Sequence, residues 1–185
     1  AIQSEYVTAP FDFSDEKPLI ATTPTLIAQR KYFADAERAI KSGDTDTALS
    51  IQNNYLRNYP LSLWIDYWYL ANNMDVSKYP QVKQFINSKV HQELGLLLKR
   101  KYIEYLSSVG QYKLVSDLIG KKPFQDDSEM AKSQQALQCR FYEARWQQGI
   151  ADVTAAAFAS KMYLQLSPYP SSCAGLIYLW GQNGY

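Results

Sequence analysis

The two cysteines of this chain each lie on a helix-spaced stripe that also carries a tryptophan. The first stripe consists of Cys139, Tyr142 and Trp146, and the second consists of Cys173, Leu176, Ile177 and Trp180. Residues at such intervals of three and four share one face of an α-helix. If the two faces pack together, the thiols can form a disulfide; the alternative is two separate buried thiols. The pattern favours the disulfide, because it also accounts for the absence of other cysteines.

A middle helix with small side chains is predicted between the two cysteine-bearing helices. Ala155, Ala156 and Ala157 form a patch on it, at which neighbouring helices can approach closely. We therefore expect residues 139–184 to form a stapled layer of three helices, and the rest of the chain to add similar layers.

Helical periodicity extends over most of the chain, without strand-like alternation. The predicted helices cover 25–42, the stretch between Asp44 and Pro60, 61–73, 79–88, 91–109, 112–119, a helix opened by Ser128 and Glu129, and two more at the alanine patch and at Cys173. Pro60 is expected in the first turn of the helix at 61–73. Four glycines are expected to end helices, namely Gly43, Gly110, Gly149 and Gly184.

These segments predict an all-α fold of about eight to nine helices. We expect antiparallel helix pairs in a superhelical, α-solenoid-like array, similar to tetratricopeptide repeats. Residues 1–23 lack a helical period and contain Pro10 and Pro18, so we expect an extended arm that lies on the helical body, with a mobile tail as the alternative. The helical array is expected over residues 24–185.

Composition excludes several classes of function. Apolar residues make up 46% of the chain, which is typical of a folded protein, and the formal net charge is +1. A charge so close to zero gives no strong field for nucleic acid or acidic lipid. The short basic runs at 99–101 and 121–122 are expected to be a solvated helix face and a loop. No apolar run approaches the roughly 20 residues that a membrane helix requires, so we expect no nucleic-acid partner and no membrane span.

No group of side chains stands out as catalytic or metal-binding. His91 is the only histidine, and we expect it at a helix start or on the surface. Asp126, Asp127 and Glu129 are the densest acidic cluster, and we expect them to favour a helix N-terminus rather than to catalyse a reaction. Two distant cysteines and one histidine make no recognised metal site, and no glycine-rich phosphate loop occurs. We therefore expect neither a metal nor a cofactor.

Ordered motifs between residues 28 and 184 resemble those of a known family. They are Cys139-x2-Tyr142-x-Ala144-Arg145-Trp146-x2-Gly149, then Pro170-x2-Cys173-x2-Leu176-x3-Trp180-x3-Gly184, and Tyr59-Pro60-Leu61 before an aromatic helix at 64–70. Their order and intervals resemble the N-terminal helical region of soluble lytic murein transglycosylases of Gram-negative bacteria. Ala174 departs from the family pattern, which often has Asp at that position.

The resemblance implies a disulfide and a compartment. The two motif cysteines are bonded in that family, which implies a Cys139–Cys173 disulfide here. The family is periplasmic, which implies periplasmic localisation and a signal peptide in the precursor. The other motif residues are then expected to be structural, namely Tyr142, Ala144, Trp146, Gly149, Leu176, Trp180 and Gly184.

The resemblance also implies an activity that resides elsewhere in a longer chain. Full-length family enzymes have a U-shaped superhelical domain, a linker region and a lysozyme-like catalytic domain. The catalytic domain cleaves the MurNAc–GlcNAc bond of peptidoglycan and yields 1,6-anhydro-muramyl products. Its catalytic glutamate is followed by serine, and no Glu-Ser pair occurs in this chain, so no catalytic residue carries over.

Two hypotheses follow from the sequence. The first is a non-catalytic scaffold whose partners are glycan strands and the catalytic part of the same protein. The second is a freestanding helical-repeat scaffold that binds a peptide or protein. In either case an array helix normally has a neighbour on its outer side, so we expect the helix at 173–185 to expose an apolar surface.

Overall fold

A computed structural model describes residues 19–88, 92–125 and 129–184 of the chain, with side chains from Thr25 onward. Within these ranges the chain forms nine α-helices, two 3₁₀ turns and no β-strand. The helices are α1 (Leu19–Lys41), α2 (Thr45–Tyr55), α3 (Leu63–Asn72), α4 (Tyr79–Ile86), α5 (Gln92–Ser108), α6 (Tyr112–Ile119), α7 (Lys132–Gln147), α8 (Val153–Leu164) and α9 (Ala174–Gln182). The 3₁₀ turns are Val76–Lys78 and Ser171–Cys173. The predicted all-α array of packed helices is confirmed for these ranges.

The predicted arm over residues 1–23 lies mostly outside the described residues. Helix α1 begins at Leu19, so residues 19–23 are helical rather than extended. Pro24 lies near the start of α1, where its missing backbone N–H removes only one intrahelical hydrogen bond. No helix in the part of the chain that the structure describes is both long and apolar enough to cross a membrane.

Two predicted helix starts are wrong. Pro60 precedes α3 instead of lying in its first turn, because Ser62 N donates to Tyr59 O at 3.0 Å and closes a turn around the proline. Helix α7 begins after Ala131 rather than at Glu129. There Ala131 N donates to the side chain of Gln134 at 2.9 Å, which satisfies the backbone at the helix start.

The chain divides into two compact units, residues 1–98 and 99–185, which we describe separately. In the first unit, α1 and α2 form a hairpin, and α3 packs against both helices. The buried core of this unit contains Ala36, Ile40, Ala48, Leu56, Tyr59 and Ile65. The rings of Tyr32 and Tyr55 stack beside it with centroids 3.9 Å apart. Tyr59 of the Tyr-Pro-Leu motif is therefore a core residue, whereas Leu61 is exposed.

Buried amides fix the register of the first unit. Gln52 is fully buried, and its Nε2 donates to Ser62 O at 3.1 Å and to Asp66 Oδ1 at 2.9 Å. Gln29 is also fully buried and donates to Tyr55 O at 3.0 Å. Buried polar groups are costly when unpaired, so these bonds favour one alignment of α2 with α1 and α3.

The second unit consists of the C-terminal part of α5 and helices α6 to α9. Helix α7 packs against α6, α8, α9 and the 3₁₀ turn Ser171–Cys173, while α8 also packs against α9. Gln148, which follows α7, donates to Ser116 Oγ of α6 at 2.7 Å. Helix α7 is therefore the central element of this unit.

The glycines that were predicted to end helices do so with left-handed backbone conformations. Gly43, Gly110, Gly149 and Gly184 have φ values of 90°, 75°, 86° and 83°. After α7, Gly149 N donates to Trp146 O at 3.0 Å and Ile150 N donates to Arg145 O at 2.9 Å. This Schellman arrangement satisfies the last carbonyls of the helix and reverses the chain.

Replacement of Gly149 by alanine is predicted to destabilise the chain. A side chain at a φ of 86° is strained, and the expected loss in the free energy of unfolding is about 1–2 kcal/mol. The matched control is Gly181→Ala in α9, where the added Cβ meets no heavy atom within 4 Å. Gly181→Ala should stabilise the chain by up to about 1 kcal/mol, because alanine favours the helix. Equilibrium urea unfolding measures both effects, and equal stability of the two variants contradicts the prediction.

Candidate functional site

Helices α7, α8 and α9 enclose the core that contains both cysteines. Its buried members are Cys139, Phe141, Tyr142, Ala155, Phe158, Ala159, Met162, Cys173 and Leu176. Trp146, Ile177 and Trp180 are half-buried and pack against this core. The two sequence stripes therefore meet on one core, as their spacing predicted.

The alanine patch of α8 faces the core in part. Ala155 and Ala156 are buried, but Ala157 is exposed, so its predicted place in the patch is wrong. Because an α-helix completes one turn every 3.6 residues, three consecutive residues cannot share one face. Ala159, four residues after Ala155, is the other buried alanine of α8.

The cysteine pair lies at disulfide distance. The sulfur atoms of Cys139 and Cys173 are 2.09 Å apart, and their Cα atoms are 5.0 Å apart. A cross-link between residues separated by 34 positions limits the unfolded chain and stabilises the fold by about 3–4 kcal/mol. It connects α7 to the 3₁₀ turn that precedes α9.

The remaining motif residues have positions that suit packing and turns. Ala144 and Leu176 are fully buried. Gly149 forms the turn after α7, and Gly184 follows α9. The ring of Trp180 lies 5.7 Å from that of Tyr163 in α8.

A charged network lies beside the cysteine pair, and the sequence analysis did not identify it. Arg140 Nη1 donates to Glu143 Oε1 at 2.7 Å, and Arg140 Nε donates to Glu104 Oε2 at 2.5 Å. The hydroxyl of Ser172, next to Cys173, donates to the other oxygen of Glu104. Arg140 therefore joins two carboxylates, and Glu104 extends the network to the 3₁₀ turn before α9.

Helix α9 covers Glu143 closely at Gly175. A Cβ added at Gly175 would overlap Glu143 Oε2 and would lie 2.7 Å from its Cδ. Only glycine leaves room for the carboxylate at this point. As a result the residue Glu143 is 4% exposed, although it is an acid in a helix.

The environment of this network shifts several pKa values. Burial raises the pKa of Glu143 against the opposing hydrogen bond and charge of Arg140. Burial also acts to lower the pKa of Arg140, but the two carboxylates outweigh it and raise that pKa. The pKa of Tyr112 in α6 is raised by burial and by the charge of Glu143. Relative to the unfolded chain, the folded chain thus holds the Glu143 proton more tightly.

This network is suited to positioning helices rather than to chemistry on a substrate. A general acid must come within hydrogen-bonding reach of the group that it protonates. Glu143 is enclosed beneath Gly175, and Glu104 is engaged by Arg140 and Ser172. Within residues 25–88, 92–125 and 129–184, no three His, Cys, Asp or Glu side chains are placed to hold a metal ion.

The sequence of α7 contained part of the information that is needed to predict the charged network. Tyr142 and Ala144 were both motif residues, and Glu143 lies between them. Consecutive positions point to different sides of a helix, so burial of all three requires neighbours around α7. Glu104 is 36 positions from Arg140 and 68 positions from Ser172, and no sequence spacing indicates either contact.

The other predicted positions have mixed outcomes. His91, Asp126 and Asp127 lie outside the described residues, and Glu129 is exposed before α7. Of the basic runs, the cations that are exposed as predicted are Arg100, Lys101 and Lys121.

Two lysines of these runs are packed rather than fully solvated. Lys99 is half-buried, and this burial lowers its pKa. Lys122 is also half-buried, and its Nζ lies 5.7 Å from the ring centroid of Tyr142. The aliphatic stems of lysines cover apolar surface in this way.

Replacement of Gly175 by alanine is predicted to destabilise the chain by about 2–3 kcal/mol, because the methyl group displaces a buried ion-paired carboxylate. In a Glu143→Ala background the same replacement meets no carboxylate and should stabilise by up to about 1 kcal/mol, as helix propensity dictates. A double-mutant cycle by urea unfolding measures this coupling, with Gly181→Ala as the uncoupled control. Additive effects at positions 143 and 175 contradict the prediction.

The raised pKa of Glu143 predicts a fall in stability as the pH rises above its ordinary value of 4.5. In that range the folded chain keeps a proton that the unfolded chain has released, so the free energy of unfolding declines until Glu143 ionises in both. In Glu143→Gln this contribution is absent. The measurement is the difference in unfolding free energy between the two proteins from about pH 4 to about pH 8. A difference that is constant with pH contradicts the expected shift.

In comparisons with known proteins, no family model, no curated protein and no solved structure matches this chain.

Proposed function

We propose that this chain is the non-catalytic N-terminal helical scaffold of a periplasmic soluble lytic transglycosylase. In the full-length enzyme a separate catalytic domain cleaves the MurNAc–GlcNAc bond of peptidoglycan. The scaffold forms part of the superhelical body around the glycan strand and contributes no catalytic residue.

The observation that carries this proposal is the cysteine pair and its surroundings. Cys139 and Cys173 are at disulfide distance, and both tryptophans of the motifs pack against the core that contains them. The family motifs require this pairing of two helical segments. A disulfide also favours an oxidising compartment such as the periplasm.

The lack of a catalytic centre supports the scaffold role. The chain has no Glu-Ser pair, and the buried acid Glu143 is enclosed by α9. Such a chain can bind a partner or support another domain, and a different domain of the same enzyme then carries out the chemistry.

The surface around α9 supports contact with further parts of such an enzyme. Tyr178 is 64% exposed on α9, and Tyr163 and Leu164 are exposed at the end of α8. Exposed large apolar side chains are available for contact with a partner. In the full-length enzyme these side chains would contact the C-terminal domains of the same protein.

The competing proposal is a freestanding helical scaffold that binds a peptide or protein. It is favoured by a groove between α5 and α7, which is lined by apolar side chains and by charged side chains of both signs. The cysteine pair is the observation that this alternative leaves unexplained, because a cytosolic scaffold has no need of a disulfide.

A digestion experiment on purified peptidoglycan tests the proposal. This chain alone should release no 1,6-anhydro-muramyl products, and the full protein encoded by its gene should release them. Mass spectrometry of the soluble products measures both. Release by this chain alone, or no release by the full protein, contradicts the proposal.

Thiol labelling of the native protein tests whether the two cysteines are oxidised, as an oxidising compartment requires. Under denaturing, non-reducing conditions we expect no alkylated cysteine, and two alkylated cysteines after reduction. Two reactive thiols before reduction would instead favour the cytosolic scaffold.

A further inference from the structure

The segment 165–173, which connects α8 to α9 and carries one of the two cysteines, has little apolar packing of its own. Leu166 is fully exposed, and Tyr169 is 37% exposed. Within this segment only Ser172 and Cys173 are buried. Burial of large apolar side chains therefore does not hold the segment against the rest of the unit, and polar contacts must contribute.

Two polar contacts connect the first part of the segment to α7. Gln135 Nε2 donates to Gln165 Oε1 at 3.2 Å, and Lys132 Nζ donates to Ser167 Oγ at 2.9 Å. Lys132 and Ser167 are both exposed, so water competes for the bond between them. These two contacts lie several residues before the cysteine and do not fix its position.

A third polar contact lies directly beside the cysteine. The hydroxyl of Ser172 donates to Glu104 Oε1, and the other oxygen of this carboxylate accepts from Arg140 Nε. Ser172 is itself buried, and hydrogen bonds to a carboxylate are stronger than those between neutral groups. Because Ser172 precedes Cys173, this contact holds the 3₁₀ turn against α5 and, through Arg140, against the helix that carries Cys139.

We infer that the hydrogen bond between Ser172 and Glu104 places Cys173 beside Cys139 before the disulfide forms. In the reduced protein this bond keeps the 3₁₀ turn docked on α5 and α7, so the two thiols stay at a high effective concentration. Ser172 and Glu104 are thus positioning residues for the oxidation of the cysteine pair. This inference goes beyond the proposed function and does not depend on it.

Oxidation of the pair by a small disulfide such as oxidised glutathione takes two exchange steps. The thiolate of one cysteine attacks a glutathione sulfur, forms a mixed disulfide and displaces the first glutathione as a thiolate. The thiolate of the other cysteine then attacks the protein sulfur of the mixed disulfide and displaces the second glutathione. The two cysteine protons pass to the two glutathione thiolates, so the cysteines are oxidised and the glutathione disulfide is reduced. The docked turn favours the second step, which occurs within one molecule.

Equilibration of the protein with reduced and oxidised glutathione tests the inference. Alkylation after an acid quench, followed by mass spectrometry, gives the equilibrium constant for disulfide formation. Ser172→Ala should lower this constant about tenfold, which is the loss expected for one hydrogen bond to a charged group. The matched control is Ser171→Ala, which changes the exposed neighbouring serine and should leave the constant unchanged. Far-UV circular dichroism should show that the reduced protein remains helical.

Two further variants separate positioning from a general loss of stability. Glu104→Ala should lower the constant about as much as Ser172→Ala, and the double variant should lower it no further, because all three remove the same bond. Arg140 keeps Glu143 as its partner in these proteins. Gly149→Ala strains the turn after α7, away from the cysteine-bearing segment, and should leave the constant of the folded protein unchanged.

Several results would overturn the inference. They are an unchanged constant in Ser172→Ala, an equal fall in Ser171→Ala or Gly149→Ala, and additive falls in the double variant. A reduced protein without a helical spectrum also overturns it, because no turn is then docked before oxidation. None of these results affects the release of anhydro-muramyl products, so failure here is distinct from failure of the proposed function.

Discussion

The second unit depends on the burial of helix α7 on nearly all sides. A helix surrounded in this way must bury polar side chains as well as apolar ones, and each buried polar group requires a partner. Gln138 meets the requirement by exchanging hydrogen bonds with the backbone of Phe124, and Gln135 by pairing with Gln165. Glu143 meets it through Arg140. The loop before α7 and the segment after α8 are thus held in place by side chains of one helix.

Local features of the fold were predictable because they depend on neighbouring residues. The range of α6 and the glycine turns follow from spacing and from the backbone freedom of glycine. The meeting of Cys139 and Cys173 was predictable from their stripes. The ion network was not, since Arg140 and Ser172 reach Glu104 only through the tertiary fold. The prediction of a helix start at Pro60 was wrong for a similar reason. Proline suits both a turn and a helix start, and the hydrogen bond that Ser62 N donates to Tyr59 O stabilises the turn.

The ion pairs and buried hydrogen bonds of the second unit connect its own helices. Its strongest polar interactions are directed inward, where they align α5, α7 and the start of α9. Its outward features include exposed aromatic and aliphatic side chains on α8 and α9, and a small groove between α5 and α7.

The link between Cys139 and Cys173 also changes what a break in the backbone would do. The entire α8 helix and the turns on either side of it lie between the two cysteines. A protease that cuts anywhere in this interval leaves both fragments tethered through sulfur, so the pieces cannot diffuse apart. The nicked molecule keeps its mass until a reductant is added, and its helices stay at high effective concentration for reassociation. Resistance of this kind to backbone cleavage is a form of durability that packing alone does not provide.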